Sequence, residues 1–258
     1  MQSETKYGKI LFHSELTSKA ALARIAIFFI LSSIFIGLAI FTILSMESDT
    51  DVRGAWGVLF GLASIPFVSR IFASRASKAT VFENGLMHSR GSKVTDLAFE
   101  DIAGIRDLTD KTIFLALIIP VFASKSRIIT IHKKDGKIIE INKNQARYFN
   151  DFADTFNFAF TEHLLNGITK ENIYQANISF GAQLELSNGQ LKYDSWGKEG
   201  EKIIPLDLVF GLQPNENGNL IMLMGEKNEK GKAEILASIK ADVALNIGAL
   251  YRILEILR

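Results

Sequence analysis

The sequence predicts an α+β protein in which an N-terminal two-helix transmembrane hairpin is followed by two copies of a strand-rich lobe, each closed by a C-terminal α-helix. Three observations predict it. Ile25 to Met46 run for 22 positions without a charge. A second uncharged run, Gly54 to Ser69, follows almost at once. From Lys78 onward the same order of strands, turns and a helix occurs twice.

The first apolar run, 25–46, is long enough as a helix to cross the ~30 Å hydrocarbon core at ~1.5 Å per residue. The second reaches about 24 Å over its uncharged part. It spans, as 54–72, once Ile71 and Phe72 are included and Arg70 snorkels to the surface. Pro66 keeps a re-entrant or interfacial path open for this segment. Charge sets the orientation: Lys6, Lys9, Lys19 and Arg24 precede the hairpin and Arg70, Arg75 and Lys78 follow it, whereas its loop carries Glu47, Asp49 and Asp51 against Arg53. The excess of Lys and Arg on one side places both termini in the cytoplasm, with residues 1–24 as a cytoplasmic segment. A cleaved signal peptide is disfavoured, because the run begins at residue 25, is too long for a signal core and is followed by a second one.

In the remainder, VFENGLMHS at 81–89 parallels LELSNGQLKYD at 184–194. Asn84-Gly85 and Asn188-Gly189 are expected to supply the positive φ angles of type I′ hairpins. LAFEDIAGI at 97–105 parallels IPLDLVFGL at 204–212, each expected to be extended. A further hairpin follows in each half, at 127–141 and 219–238. Each half closes with one amphipathic helix. Phe149, Phe152, Phe156, Phe160 and Leu164 share one face of the first, and Val243, Ile247, Leu250, Leu254 and Leu257 one face of the second. The polar side of the first carries Asn150, Asp151, Asp154 and Glu162 rather than Lys and Arg, so its Phe stripe is read as core and not as a membrane-surface face.

Antiparallel strands closed by one C-terminal helix are the order of a pleckstrin-homology-like (PH-like) domain. On V-F-E-N-G-L at 81–86, F-E-D-I-A-G-I at 99–105, K-D-G-K at 134–137 and the run N-G-I-T-K-E-N-I-Y-Q-A-N-I-S-F-G from Asn166, the chain resembles the bacterial PH-like membrane proteins of unknown function. The resemblance covers roughly residues 78–258. It implies a multi-pass protein of the inner (cytoplasmic) membrane with two tandem PH-like domains, each an antiparallel sheet or open barrel, at 78–166 and 173–258. It offers no catalytic residue to carry over. Ile168 to Asn177 is the linker between the halves and is not a Pro/Gly/Ser-rich tether, so close packing of the two is expected.

Residues 70–150 carry 14 Lys and Arg against 8 Asp and Glu, a net of +6, whereas residues 151–258 carry 10 against 15, a net of −5. A basic lobe next to the bilayer suits anionic lipid, which attracts nearby cations at ~1 kcal/mol each. Arg70, Arg75, Lys78, Arg90, Lys93, Lys125, Arg127, Lys133, Lys134 and Lys137 are the membrane-surface candidates; an ordinary solvated face is the alternative. The loop that captures phosphoinositides in many PH domains offers His88, Arg90 and Lys93 here, and a mixed Lys198, Glu199, Glu201 and Lys202 in the second half. Neither set makes a phosphate pocket.

The uncharged stretch Thr112 to Ala123 is too short to span. It reads as a buried strand or core-covering loop, or else as a membrane-dipping or partner-binding insertion through Phe114, Leu115, Leu117, Ile118, Val121 and Phe122. Ser33-x3-Gly37 and Gly57-x3-Gly61 have the spacing that lets membrane helices approach closely, within the hairpin or between copies of the chain. Trp56 suits an interface anchor. Trp196 marks a partner surface or folds back on the core.

Signals for chemistry are absent from the sequence. With no cysteine there is no disulfide and no thiolate site. His13, His88, His132 and His163 are scattered, and none of the Gly-rich phosphate loop, G-x-S-x-G or H-E-x-x-H motifs occurs. Apart from Arg70, which snorkels at the end of the second span, the spans hold no ionisable residue, which argues against an ion-coupled transporter built on one hairpin. The expectation is a non-enzymatic, membrane-anchored binding or scaffold protein with no cofactor, no metal and no nucleic-acid partner. Its partners are the lipid bilayer with its anionic headgroups and an unidentified protein. Self-association through the hairpin stays open. The alternative is an accessory subunit of a larger membrane transport or envelope-assembly complex, contacted through the hairpin.

Overall fold

The computed structural model describes residues 4–44, 51–73, 76–111, 125–142, 146, 148–194, 200–215, 218–227 and 231–258. It is an α+β protein with an N-terminal apolar helix and several antiparallel sheets. A short helix α1 (Glu4–Tyr7) leads into strand β1 (Ile10–Leu16), and β1 runs into the long helix α2 (Ser18–Leu44), which is followed by α3 (Asp51–Ala73). Strands β2 (Ser77–Phe82), β3 (Gly85–Arg90) and β4 (Lys93–Ala98) come next, then β5 (Ile102–Lys111), β6 (Lys125–Lys133), β7 (Ile138–Asn142) and helix α4 (Phe149–Leu164). The order is then repeated: β8 (Asn177–Ser179), β9 (Leu184–Ser187), β10 (Gln190–Asp194), β11 (Glu201–Pro205), β12 (Gly211–Pro214), β13 (Leu220–Lys227), β14 (Ala233–Lys240) and α5 (Ile247–Leu257).

Each lobe pairs a four-stranded meander with a three-stranded one. The sheets are β1-β2-β3-β4 with β5-β6-β7, and β8-β9-β10-β11 with β12-β13-β14, all neighbours antiparallel. The first lobe therefore begins ahead of the helices. Strand β1 pairs with β2 from Ile10 opposite Phe82 to Leu16 opposite Ser77, so the helices are inserted between adjacent strands of one sheet.

The helix that closes each lobe plugs its sheets as the periodicity predicts. Phe149, Phe152, Phe156 and Phe160 are all buried among Val81, Leu86, Ile129, Ile131 and Ile141. In the second lobe Leu250 and Leu254 of the expected face, joined by Ile253, which was not expected there, pack on Leu186, Leu191, Leu223 and Ile239, while Ile247 and Leu257 are only half-buried. Val243 lies ahead of α5 rather than on it.

Three local expectations change. The segments 97–105 and 204–212 are not continuously extended. Each is broken by a 3-10 turn, Phe99–Asp101 and Leu206–Leu208, whose first residue is buried and anchors the corner where the chain passes from one sheet to the other. Asn188 and Gly189 have φ of 51° and 70°, the type I′ pattern. Asn84 and Gly85 are not at positive φ. Gly85 is required instead by close approach, since a Cβ there would lie 2.6 Å from the Tyr7 ring.

The linker packs closely. Leu165 and Ile173 are buried in the second core, and Leu164 at the end of α4 touches both cores.

Candidate functional site

The most informative site is the root of the helices, where sequence-distant segments of the first lobe converge. Thr17 is the sole residue between β1 and α2. Its Oγ1 accepts from Ala20 N at 3.3 Å and its carbonyl from Ala21 N at 2.9 Å, so strand passes into helix without a loop. On the return side Ala76 precedes β2, and its carbonyl accepts from Gly91 N at 2.9 Å. That bond ties the β3–β4 turn to the base of the helices. The register puts Leu16, Ser77, Arg90 and Lys93 in one row across the sheet, with Glu15, Lys78, Ser89 and Val94 in the next. Lys78 and Lys93 are exposed, as are Lys19 and Arg24 on the first two turns of α2.

The remaining membrane-surface candidates lie elsewhere or are engaged. Lys134 N donates to Asp101 O at 2.9 Å, just past the end of β4 remote from the root, so the β6–β7 turn sits about 17 Å up the sheet at ~3.3 Å per residue. In that turn Asp135 pairs with Lys133 at 2.9 Å and with Lys137 at 3.3 Å. The Lys133 ammonium, followed by the backbone N–H of Lys137, holds the Asp135 carboxyl down at about 2. Arg127 is bound by two carboxylates, Asp107 and, at 2.7 Å, Asp154. The Asp107 hydrogen bonds push its pKa above the ordinary guanidinium value. It is an internal tie between β5, β6 and α4, not a free cation. The side chains of Arg70 and Lys125 lie outside the described residues, as do Arg75, Trp196 and the stretch 112–123 with Phe114, Leu115, Leu117, Ile118, Val121 and Phe122.

Helix α2 is long and apolar enough to cross a membrane, with a mean hydropathy of 2.7 over its best stretch and only 11% of that stretch buried. Among the described residues it is the one helix of that kind; α3 contributes a shorter apolar stretch, Ala55–Ile65, so a second crossing is not shown. The two helices pack side by side, with Phe35 stacked on Phe67 at 5.3 Å. Their seam is made of small residues: Ser32, Ala39, Ser64 and Gly57 are buried, and a Cβ on Gly57 would come within 2.7 Å of Ile43. Ser33 is exposed, and Gly37 and Gly61 face open space. The readable signal for this seam is a seven-residue spacing, Ser32 to Ala39 and Gly57 to Ser64, and not the three-residue gap.

The second element that positions the lobes was not foreseen from sequence. Leu245 packs where a Cβ on Gly104 would lie, 3.0 Å from its Cδ1, and Arg106 donates to Asp242 O. Asn246, the left-handed residue before α5, bonds both backbone groups of Ile105. A cavity of about 270 Å³ opens beside this contact, between Arg106 and Leu108 on one side and Ala244, Ile247 and Tyr251 on the other. His132, next to Arg106 on the sheet, is held below its ordinary pKa by burial and then by the Arg106 charge.

No family model and no curated protein matches the chain. Among solved structures, the chain is similar to the structure of the Spt16D Pob3N heterodimer at 16% identity, over 64% of this chain and 86% of that one, with a TM-score of 0.23. A score at that level fixes no detail of the fold.

Proposed function

We propose that this chain is a membrane-anchored, non-enzymatic binding or scaffold protein that holds two tandem PH-like lobes at the cytoplasmic face of the inner membrane. The observation that carries the reading is the insertion of the helices between β1 and β2. The first lobe is completed by strands on both sides of the apolar helices, so anchoring and folding of that lobe are one event. Seven antiparallel strands and a closing helix, in the same order twice, support the PH-like assignment of both lobes. In this reading α3 crosses back beside α2, and both termini stay with the lobes.

The acidic second lobe is the surface offered to a protein partner. Leu208 and Phe210, close together on the corner between β11 and β12, are about half exposed, as are Ile203 and Ile235. The test is affinity purification of the full chain from native membranes, with mass spectrometry of what accompanies it, compared between the natural sequence and Leu208→Asp with Phe210→Asp. Partners lost from the variant support the reading; an unchanged set refutes this surface.

The open faces of Gly37 and Gly61 favour a second reading, an accessory subunit of a larger membrane complex contacted through the hairpin. Partners lost on Gly37→Leu with Gly61→Leu, and kept in the lobe variant, would select it.

A further inference from the structure

We infer that the root of the helices is a lipid-binding site: the β3–β4 turn rests in the headgroup layer, and Lys19, Arg24, Lys78 and Lys93 bind the anionic headgroups of the membrane that α2 enters. The inference rests on the anchoring reading above and names the partner and residues of that surface.

Geometry carries it. Thr17 alone separates β1 from α2, so the sheet cannot stand off from the helix. From Ser18 to Ile25, where the uncharged run begins, α2 rises only about 10 Å. The polar layer of a bilayer leaflet is of the same order. Gly91 N is bonded to Ala76 O, which holds the turn at the level of the helix base. The turn points the way the helices leave the sheet, because Arg90 and Lys93 share a row with Leu16 and Ser77. Charge agrees. Glu15, opposite Lys78, is the one carboxylate in this zone among the described residues, and Asp96 further along β4 is held by Lys6 at 3.3 Å. Arg127, Lys133 and Lys137 have carboxylate partners of their own, whereas Lys19, Arg24, Lys78 and Lys93 form no ion pair among the described residues, and the turn that carries Lys133, Lys134 and Lys137 is remote from the root.

The cysteine-free chain allows single labels on the full protein. An environment-sensitive fluorophore is placed on Ser92→Cys at the tip of the turn, on Lys134→Cys in the remote turn, or on Ile34→Cys in α2, and each protein is put in nanodiscs of phosphatidylcholine or of an equimolar mixture with phosphatidylglycerol. The Ser92 label should shift to the blue and brighten in the anionic discs only. High salt should reverse the shift. The triple variant Lys19→Gln, Lys78→Gln, Lys93→Gln should lose it, while circular dichroism and the Ile34 label stay unchanged. The Lys134 label should not distinguish the two lipids.

A Ser92 label indifferent to lipid charge, with the Ile34 label in hydrocarbon, overturns the inference and leaves the anchoring intact. A water-exposed Ile34 label overturns the anchoring itself. Inorganic phosphate that reproduces the shift in neutral discs would make this a soluble-anion site and would also overturn the lipid assignment.

Discussion

Asn246 acts toward Ile105 as a one-residue strand: its backbone N–H donates to Ile105 O at 2.8 Å, and its side-chain Oδ1 accepts from Ile105 N at 2.9 Å. The same side chain donates through Nδ2 to Ser179 O at 3.1 Å and is buried. One residue thus joins the outer edge of β5 to the entry of α5 and to the end of β8. The left-handed conformation, φ 55°, is what lets both the backbone and the amide reach Ile105, and Asn tolerates it better than most residues. Asn246→Ala leaves the Ile105 N–H buried without an acceptor and should cost about 1–3 kcal/mol. Denaturant unfolding of the full chain in detergent measures the loss. Hydrogen exchange at Ile105 should speed up in Asn246→Ala and less so in Asn246→Asp, which keeps the acceptor. Equal exchange in all three would remove Asn246 from this role.

Gly57 and Gly61 have opposite surroundings although they lie one turn apart. A Cβ at Gly57 meets the Ile43 side chain, and at Gly61 it meets nothing within 4 Å. The nearest atom is Ile43 Cγ1, bound to the branch carbon of a stiff side chain, and the Ala39 carbonyl lies at 3.3 Å, so even Gly57→Ala should push the helices apart and lower the unfolding midpoint. Gly57→Leu should overpack the seam and lower stability by about 1–3 kcal/mol, whereas Gly61→Leu should leave it unchanged. Thermal unfolding of the full chain in one detergent separates them; identical midpoints would mean that the helices do not meet at Gly57.

The β6–β7 turn carries a pH signature of its own. The carboxyl of Asp135 is depressed to about 2 by Lys133 and by the Lys137 N–H, against an unfolded value near 3.9. A depressed carboxyl contributes stability above the unfolded value, and that contribution disappears as pH falls from about 4 through about 2. The Lys137 amide, which donates to Asp135 at 3.0 Å, should report the titration by NMR. Asp135→Asn should abolish it, because the amide still accepts from Lys137 N but carries no charge.

The elements legible in the sequence are those held by local chemistry. The apolar run of α2, the Phe stripe of α4 and the Asn188-Gly189 turn each declare themselves within a few residues, because period and backbone conformation decide them. What escaped was decided by contacts across the chain. Strand β1 has a period-two pattern in Phe12, Ser14 and Leu16, but it is short and its partner β2 lies beyond the helices. Gly85 looks like a turn glycine and is one that the Tyr7 ring demands. The ten basic candidates read as one group; the sheet register divides them, because a row across four strands brings Arg90 and Lys93 to the helix root while Lys133 and Lys137 end at the opposite corner beside Asp135. Asn246 carried no signal, since an Asn before a helix is ordinarily its cap.

The register of β1 yields the sharpest test of the architecture. Leu16 and Ser77 are directly opposite each other at the end of an antiparallel ladder, and everything between them is the helical insertion. By the alternation from the two-residue β2–β3 turn, Leu16 and Ser77 form a hydrogen-bonded pair, the pair that a two-residue turn closes. Replacing residues 17–76 by Asn-Gly should therefore turn the hairpin site into an ordinary β-turn and give a water-soluble two-lobe protein. A chain that starts at Lys78 lacks β1. It loses the strand that covers β2, with Phe12 taken from its place against Phe152 at 6.1 Å, and leaves the β2 edge open. That chain should aggregate or bind hydrophobic dye, while the turn-closed chain should run as a compact, cooperatively unfolding species in size exclusion and circular dichroism. Equal solubility and equal unfolding midpoints for the two would mean that β1 is not part of the first lobe, and the insertion of the helices between two strands of one sheet would fall with it.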